Sequence, residues 1–123
     1  METKEAVIGL AALAQETRLS LFRLLVKAGP EGLPAGRIGK ELEVPGATLS
    51  FHLKELSHAK LIKSRQESRF IYYSVDFEYM AELMTFLTEH CCKGMPKSCL
   101  SVVETALNRC GPPPRARRKI ARR

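Results

Sequence analysis

The sequence predicts a mainly α (α+β) winged helix-turn-helix fold, with its elements in the order α-α-α-α-β-β-α. Two short helical patterns with a tight turn between them occupy residues 34–58. Two strand-like runs with a polar turn follow directly and end at Val75. A helix pair followed by a hairpin is the order of elements in winged-helix domains, so residues 33–75 are the predicted centre of the fold.

Each helical pattern has a physical start or stop. Two helices are predicted before the pair, over residues 4–14 and 18–27, and Ala28-Gly29-Pro30 ends the second. Pro34 fits the first turn of the next helix because its missing N–H has no partner to lose there. A Pro-Gly dipeptide then breaks that helix. The last helix of the pair runs over about residues 47–58 and carries leucines at the spacing that buries one stripe: Leu49, Leu53 and Leu56.

Burying these leucines turns small, polar and weakly basic side chains outward, a composition typical of a surface that enters a DNA groove. Lys54 can meet a phosphate there, and Phe51 can touch thymine methyl groups. An ordinary solvated helix face is the alternative, and an outward Phe51 argues against it. The candidate DNA-contacting residues are Ala47, Thr48, Ser50, Phe51, His52 and Lys54. His52 lies beside the leucine stripe, which favours a packed, hydrogen-bonded histidine over a base-contacting one.

The two strand-like runs predict a wing. Residues 59–65 and 69–75 have the β-branched and aromatic content of strands, and Gln66-Glu67-Ser68 supplies the turn between them. Basic residues near the tip of this hairpin are candidate contacts to the DNA backbone or the minor groove: Lys63, Arg65 and Arg69. An ordinary hairpin with charged edges would explain these charges, but it would not explain the helix pair before it.

Positive charge inside the predicted domain is concentrated on the same elements. The chain has a formal net charge of +7, and residues 115–123 supply six basic residues and no acidic one. Residues 46–73 carry five basic residues against two acidic ones, whereas residues 74–110 have a net charge of −2. This local pattern supports nucleic-acid binding better than the total charge does. We expect residues 1–110 to form one domain and residues 111–123 a basic disordered tail, which either strengthens DNA binding nonspecifically or is only a solvated end.

Three segments resemble the ArsR/SmtB family of bacterial metal-responsive repressors: residues 12–19 (ALAQETRL), 47–56 (ATLSFHLKEL) and 61–73. The resemblance covers about residues 5–92. It implies a winged-helix homodimer that binds double-stranded operator DNA and is released by a metal or metalloid. Members that bind arsenicals next to the recognition helix have cysteines where this chain reads Leu33-Pro34-Ala35-Gly36-Arg37. The predicted sensor therefore lies elsewhere in the chain, or the chain senses something else.

All four cysteines lie beyond residue 90: Cys91, Cys92, Cys99 and Cys110. Clusters of this kind are typical of metal ligands, and thiolates favour soft centres. A disulfide between neighbours closes a strained ring, so Cys91 and Cys92 are better suited to sharing a soft ion. Three thiolates match the pyramidal three-sulfur preference of As(III) or Sb(III), and the predicted ligands are Cys91, Cys92 and Cys99. One subgroup of arsenical repressors is similar, with a vicinal pair and one further cysteine near the end of the dimerisation helix.

Other ligands remain open at this site, which the sequence places at residues 91–99. Cys110 as a fourth sulfur, or His90 in place of one, would suit zinc or cadmium, and lead is a further candidate. Two accessible low-pKa cysteines would be enough for a redox switch, and unligated thiols are the plainest alternative. No organic cofactor is expected. An enzyme that uses these thiols is not expected either, because they follow a helix C-terminus, where the dipole disfavours thiolate. A winged helix that binds only proteins is a last alternative.

The helix predicted over residues 76–92 is apolar around much of its circumference, so one stripe is expected to pack against a second subunit. We predict a homodimer through the first and the post-wing helices, which would let two winged helices contact a palindrome. No apolar run is long enough to cross a bilayer and no signal-peptide pattern is present, which predicts a cytoplasmic protein without a membrane partner. Cysteines stay reduced in that compartment. The resemblance, not the residues, implies that the ligand weakens DNA binding.

Overall fold

Residues 1–89, which a computed structural model describes, form five α-helices and one small sheet. The helices are α1 (Thr3–Leu13), α2 (Glu16–Ala28), α3 (Ala35–Leu42), α4 (Gly46–His58) and α5 (Phe77–Thr88). One turn of 3-10 helix (Gly29–Glu31) follows α2. The strands β1 (Leu33–Pro34), β2 (Ile62–Glu67) and β3 (Phe70–Val75) form an antiparallel sheet in the order β1-β3-β2. This architecture confirms the winged helix-turn-helix prediction.

The turn between α3 and α4 is stabilised by a residue in the left-handed backbone conformation and by a close contact between the two helices. Glu43 adopts φ +53° after the last turn of α3. The next residue, Val44, donates its N–H to the Gly39 carbonyl oxygen at 3.1 Å. A Cβ on Gly39 would lie 3.3 Å from Leu49 Cδ2, so the missing side chain lets α3 and α4 pack closely. These contacts form the helix-turn-helix unit and fix the start of α4.

The end of α4 leads into the wing through a Schellman motif. Lys60 adopts φ +67° and donates its N–H to the Ser57 carbonyl oxygen at 3.0 Å. Leu61 donates its N–H to the Leu56 carbonyl oxygen at 3.1 Å. This pair of hydrogen bonds satisfies carbonyl groups that the helix end would leave without a partner. Leu61 and Ile62 are then buried, which ties the start of β2 to the core.

The core lies between the helices and the base of the hairpin. Its largest fully buried side chains come from α2, α3, α4 and the hairpin strands with the turn before them: Leu21, Leu25, Ile38, Leu56, Leu61 and Val75. The predicted leucine stripe of α4 is confirmed, since all three of its leucines are buried. Burying a side chain of this size stabilises the fold by about 1.5–3 kcal/mol relative to exposure. Within residues 1–89, no helix combines the length and apolar content needed to span a membrane.

Strand β1 was not predicted, and Pro34 lies one position before α3 and not in its first turn. Pro34 precedes the first helical residue and pairs with Tyr72 of β3. A strand of two residues is too short to produce a periodic pattern. It lies at the edge of the sheet, where the missing N–H of a proline costs the least.

The hairpin turn and the end of α5 also differ from the prediction. Glu67 pairs with Phe70, so the turn is Ser68-Arg69 and not residues 66–68. Ser68 adopts φ +59°, a conformation that glycine supplies in most tight hairpins, and without a glycine the turn has no sharp signal in the sequence. The last helix ends at Thr88, whereas the apolar pattern has no stop signal before Gly94 and predicts a helix through residue 92. Residues 90–92 lie outside the described part of the chain.

Candidate nucleic-acid interface

The outward face of α4 is exposed as the leucine stripe predicts. Its exposed residues are Ala47, Thr48, Ser50, Phe51, Lys54 and His58. Phe51 is the largest of them, and 55% of its surface is exposed. Small residues near the start of the helix would allow close approach to a groove, and an exposed phenyl ring offers apolar contact to a thymine methyl group. The face therefore has the shape and chemistry of a base-contacting surface.

His52 is the exception among the candidates on α4, because it is buried and only 7% exposed. Arg18 Nη1 lies 3.3 Å from His52 Nδ1, and Arg18 Nε donates to the Ala12 carbonyl oxygen at 2.7 Å. A guanidinium can only donate, so Nδ1 accepts and the imidazole carries its proton on Nε2. Arg18 thus joins the end of α1 to α4. A direct DNA contact by His52 is wrong, and the packed histidine that the sequence favoured is correct.

Acid is expected to destabilise the fold through His52. Burial and the nearby Arg18 lower the pKa of His52 below its ordinary value of 6.5, and Glu55 opposes them. Because the unfolded chain takes up this proton at a higher pH than the folded protein, the free energy of unfolding should fall as the pH drops below about 6.5. Urea midpoints at about pH 7.5, 6.5 and 5.5 measure the effect. His52→Gln is the control, because its amide oxygen can accept from Arg18 without titrating, and parallel profiles would contradict the assignment.

The three basic residues of the wing lie at different distances from the turn of the hairpin. Arg69 is in the turn itself and is exposed. Lys63 is also exposed, but it pairs with Ser74 near the base of the hairpin. Arg65 lies between them and is engaged within the protein, with Nε 2.7 Å from Glu67 Oε2. The prediction that all three lie near the tip is wrong for Lys63 and Arg65, because β2 extends to Glu67, two residues beyond its predicted end.

The tip also exposes two large apolar residues that the sequence pattern did not single out as functional. Phe70 is 58% exposed, and Ile71 beside it is also exposed. They lie on opposite faces of β3, directly after the turn. Their position next to Arg69 gives the wing a tip with both apolar and basic character. The sequence does show two large apolar residues after a polar turn, but such residues are also what a β-strand favours, so they do not by themselves indicate a functional site.

Several known proteins are similar to this chain in sequence or in fold. Residues 13–65 match the helix-turn-helix domain family. The uncharacterized HTH-type transcriptional regulator YceK of Bacillus subtilis is 38% identical over 64 residues, which cover 52% of this chain and 63% of YceK, less than two thirds of its length. The structure of HlyU from Vibrio cholerae is 30% identical, with a TM-score of 0.56, and the match covers 71% of this chain and 97% of HlyU. This chain belongs to the helix-turn-helix transcriptional regulators of the ArsR/HlyU type.

The fold of this ArsR/HlyU-type regulator also matches a domain described as homodimeric. That domain is the winged helix-turn-helix DNA-binding domain of a possible ArsR-family transcriptional regulator from Mycobacterium bovis. The two are 24% identical with a TM-score of 0.59, and the match covers 69% of this chain and 76% of the domain. At this identity the likeness concerns the fold alone.

In this regulator, the large apolar side chains of α1 point away from the core of the domain. Its buried residues are small, namely Ala6, Gly9 and Ala12. Its exposed apolar residues are large, namely Val7, Ile8 and Leu10. Leu87 of α5 is likewise exposed. Exposed apolar patches on a small domain mark interaction surfaces, so the outward face of α1 is a candidate interface.

The regulator has no metal site in the part of the chain that the structure describes. Among residues 1–89, no three histidine, cysteine, aspartate or glutamate side chains come together to hold an ion. The predicted thiolate ligands, Cys91, Cys92 and Cys99, lie outside that part, as do Cys110 and the basic tail at residues 111–123. The sensor assignment therefore stays a prediction.

Proposed function

We propose that this regulator is a cytoplasmic, homodimeric repressor that binds double-stranded operator DNA. Helix α4 enters the major groove, and the wing formed by β2 and β3 contacts the backbone or the minor groove beside it. The observation that carries the proposal is the exposed face of α4, where a phenyl ring and hydroxyl side chains lie opposite a buried leucine stripe. Hydroxyl groups and Lys54 supply donors for base edges and phosphates.

The occupant we propose for the outward face of α1 is a second copy of the same chain. The large apolar side chains of α1 are exposed on this face, whereas the residues that α1 buries in the core are small. A partner could therefore cover the large apolar side chains. The related fold from Mycobacterium bovis is described as homodimeric. A two-fold dimer would present two α4 helices to a palindrome and combine their binding energies.

In vitro selection tests this function directly. The full chain is incubated with random double-stranded DNA, and the bound duplexes are amplified and sequenced. We expect a palindromic motif whose half-sites lie about one helical turn, 10–10.5 base pairs, apart. The variant Phe51→Ala should lose preference at one position in each half-site while it keeps the spacing. Recovery of duplexes without any common motif would contradict sequence-specific binding.

The inducer we propose is As(III) or Sb(III), held by Cys91, Cys92 and Cys99. Three thiols within nine residues supply the soft sulfur ligands that these trivalent centres prefer. The family resemblance supplies the direction of the response, which is weaker DNA binding when the inducer is held. Zinc, cadmium, lead and thiol oxidation are the competing signals, and they are outcomes of the following test.

Replacing single cysteines is expected to separate ligands from bystanders. The reduced full chain, bound to a fluorescent selected duplex, is titrated with arsenite while anisotropy reports release. We expect Cys91→Ser, Cys92→Ser and Cys99→Ser to bind the duplex normally and to lose the response, because two sulfurs do not complete a three-sulfur site. Cys110→Ser is the matched control and should respond like the wild type. An equal response from all four variants would refute the site, and release by zinc or peroxide alone would identify the competing signal.

A further inference from the structure

The guanidinium of Arg65 is engaged on three sides. Its Nε lies 2.7 Å from Glu67 Oε2, and its Nη1 donates to the Glu31 carbonyl oxygen at 2.8 Å. Its Cζ lies 4.9 Å from the centroid of the Tyr72 ring, which is a cation–π distance. A planar guanidinium can serve two acceptors and one ring at once, whereas an ammonium has a single nitrogen. These three contacts favour one position of the side chain, although 42% of its surface remains exposed.

These contacts cross the whole sheet. Arg65 is in β2, and Tyr72, its direct partner across the ladder, is in the central strand β3. Glu31 precedes β1, which pairs with β3 on the other side. The Arg65 side chain thus extends over β3 and joins the hairpin to the turn that follows α2.

The third strand, β1, ends beside the Arg65–Tyr72 pair, and the hairpin beyond this pair has two strands only. Pro34, the last residue of β1, pairs with Tyr72, so the third strand stops at the level of Arg65. Beyond that level only two ladder pairs and the turn remain, and Arg69 lies in that turn. The direction in which the tip extends therefore depends on how firmly the hairpin is held at Arg65.

The ion pair with Glu67 also neutralises the positive charge of Arg65, which is then not available to a phosphate. The Arg65–Glu67 ion pair places an acid beside the guanidinium at 2.7 Å. Within residues 1–89, the other exposed basic residues of the hairpin, Lys63 and Arg69, form no ion pair with an acidic side chain. A phosphate would have to compete with Glu67 for Arg65, which makes Arg65 a poor backbone contact.

We infer that Arg65 is a positioning residue for DNA binding, which ties the wing to the turn before β1 and sets where Arg69 meets the duplex. The inference rests on the proposed operator binding. It assigns to Arg65 a role that differs from the direct DNA contact expected from its charge alone.

Paired substitutions at Arg65 and Arg69 test the inference, with a selected duplex as the probe and anisotropy as the readout. Arg65→Lys and Arg65→Gln should weaken binding equally, by about tenfold, because neither can hold the three contacts. Arg69→Lys should remain close to the wild type, while Arg69→Gln should weaken binding and reduce the salt slope by about 0.9 for each phosphate that is no longer neutralised. A near-normal Arg65→Lys would show that charge alone matters at residue 65 and would overturn the inference.

Glu67→Gln gives a result of opposite sign for the two roles. Removing an acid from a DNA-contacting wing should tighten binding if Arg65 contacts phosphate, because the guanidinium is released. If Arg65 positions the wing, the neutral amide holds the guanidinium less firmly than the carboxylate does, and binding should weaken by about threefold instead. Tighter binding overturns the inference. This variant keeps Arg65 and Tyr72, so it also serves if changes at Arg65 lower the melting temperature.

A double-mutant cycle completes the test. Arg65→Gln in an Arg69→Gln background should have little further effect, because Arg65 acts through the position of Arg69. Additive losses of affinity would overturn the inference. Wild-type protein that selects no motif and shows no binding would instead contradict the proposed function, so the two failures are distinguishable. Thermal melting of each variant shows whether a change in affinity accompanies unfolding.

Discussion

Gly32→Ala is expected to cost roughly 3 kcal/mol of folding free energy, the largest stability loss for a change of one methyl group. Gly32 has φ +73° and ψ −167°, a region that essentially only glycine adopts. A Cβ there would also overlap the backbone carbonyl oxygen of Tyr73, where β1 approaches β3. Its nearest neighbours are the Tyr73 backbone and the Ser74 Cβ, none of them the end of a flexible side chain, so the sheet itself must shift. Urea unfolding of the full chain measures the loss.

Two other glycines serve as controls for Gly32. Gly29 has nearly the same conformation, φ +77° and ψ −165°, but a Cβ there would meet nothing within 4 Å. Gly29→Ala should therefore show the conformational cost alone, about 1–2 kcal/mol. Gly36 is helical and equally open, and Gly36→Ala should be neutral or stabilising by up to about 1 kcal/mol. Equal losses for Gly29→Ala and Gly32→Ala would contradict the overlap with Tyr73.

Val7→Glu combined with Leu10→Glu is expected to convert the proposed dimer to a folded monomer and to weaken binding to the selected palindrome by about 100-fold or more. Both side chains are on the outward face of α1, and Val7 is 57% exposed in the single chain. Two carboxylates in an apolar interface would lose their hydration without gaining a partner. Analytical ultracentrifugation gives the oligomeric state, and anisotropy gives the affinity.

Val26→Glu is the matched control for the α1 variant. Val26 is an exposed apolar residue of α2, so the substitution adds the same kind of charge outside the outward face of α1. It should leave both the dimer and the affinity unchanged. If the α1 variant stays dimeric while remaining folded, the second copy packs elsewhere and the interface assignment is wrong.

The helical part of the fold could be predicted because its signals are local. Leu49, Leu53 and Leu56 recur at helical spacing, and that spacing alone identified the buried and exposed faces of α4. The exposed Phe51 followed from the same periodicity. Binary patterning therefore determined the orientation of the candidate base-contacting surface.

Features that depend on distant partners could not be predicted. Strand β1 exists because Leu33 and Pro34 meet β3, about forty residues later in the chain. Likewise, the sequence does not show that Arg65 donates to the Glu31 carbonyl oxygen, which the sheet places beside it. The sequence identifies which residues are charged, but only the tertiary fold shows which charges are already paired.

The dependence of DNA affinity on salt concentration tests most directly whether α4 and the wing bind DNA. We expect the logarithm of the association constant for a selected duplex to fall linearly with the logarithm of salt concentration, by about 0.9 for each phosphate neutralised. Lys54→Gln and Arg69→Gln should each reduce that slope, whereas Lys4→Gln on α1, also exposed, should not. A slope near zero, or one that Lys54→Gln and Arg69→Gln leave unchanged, would contradict the claim that these elements bind DNA.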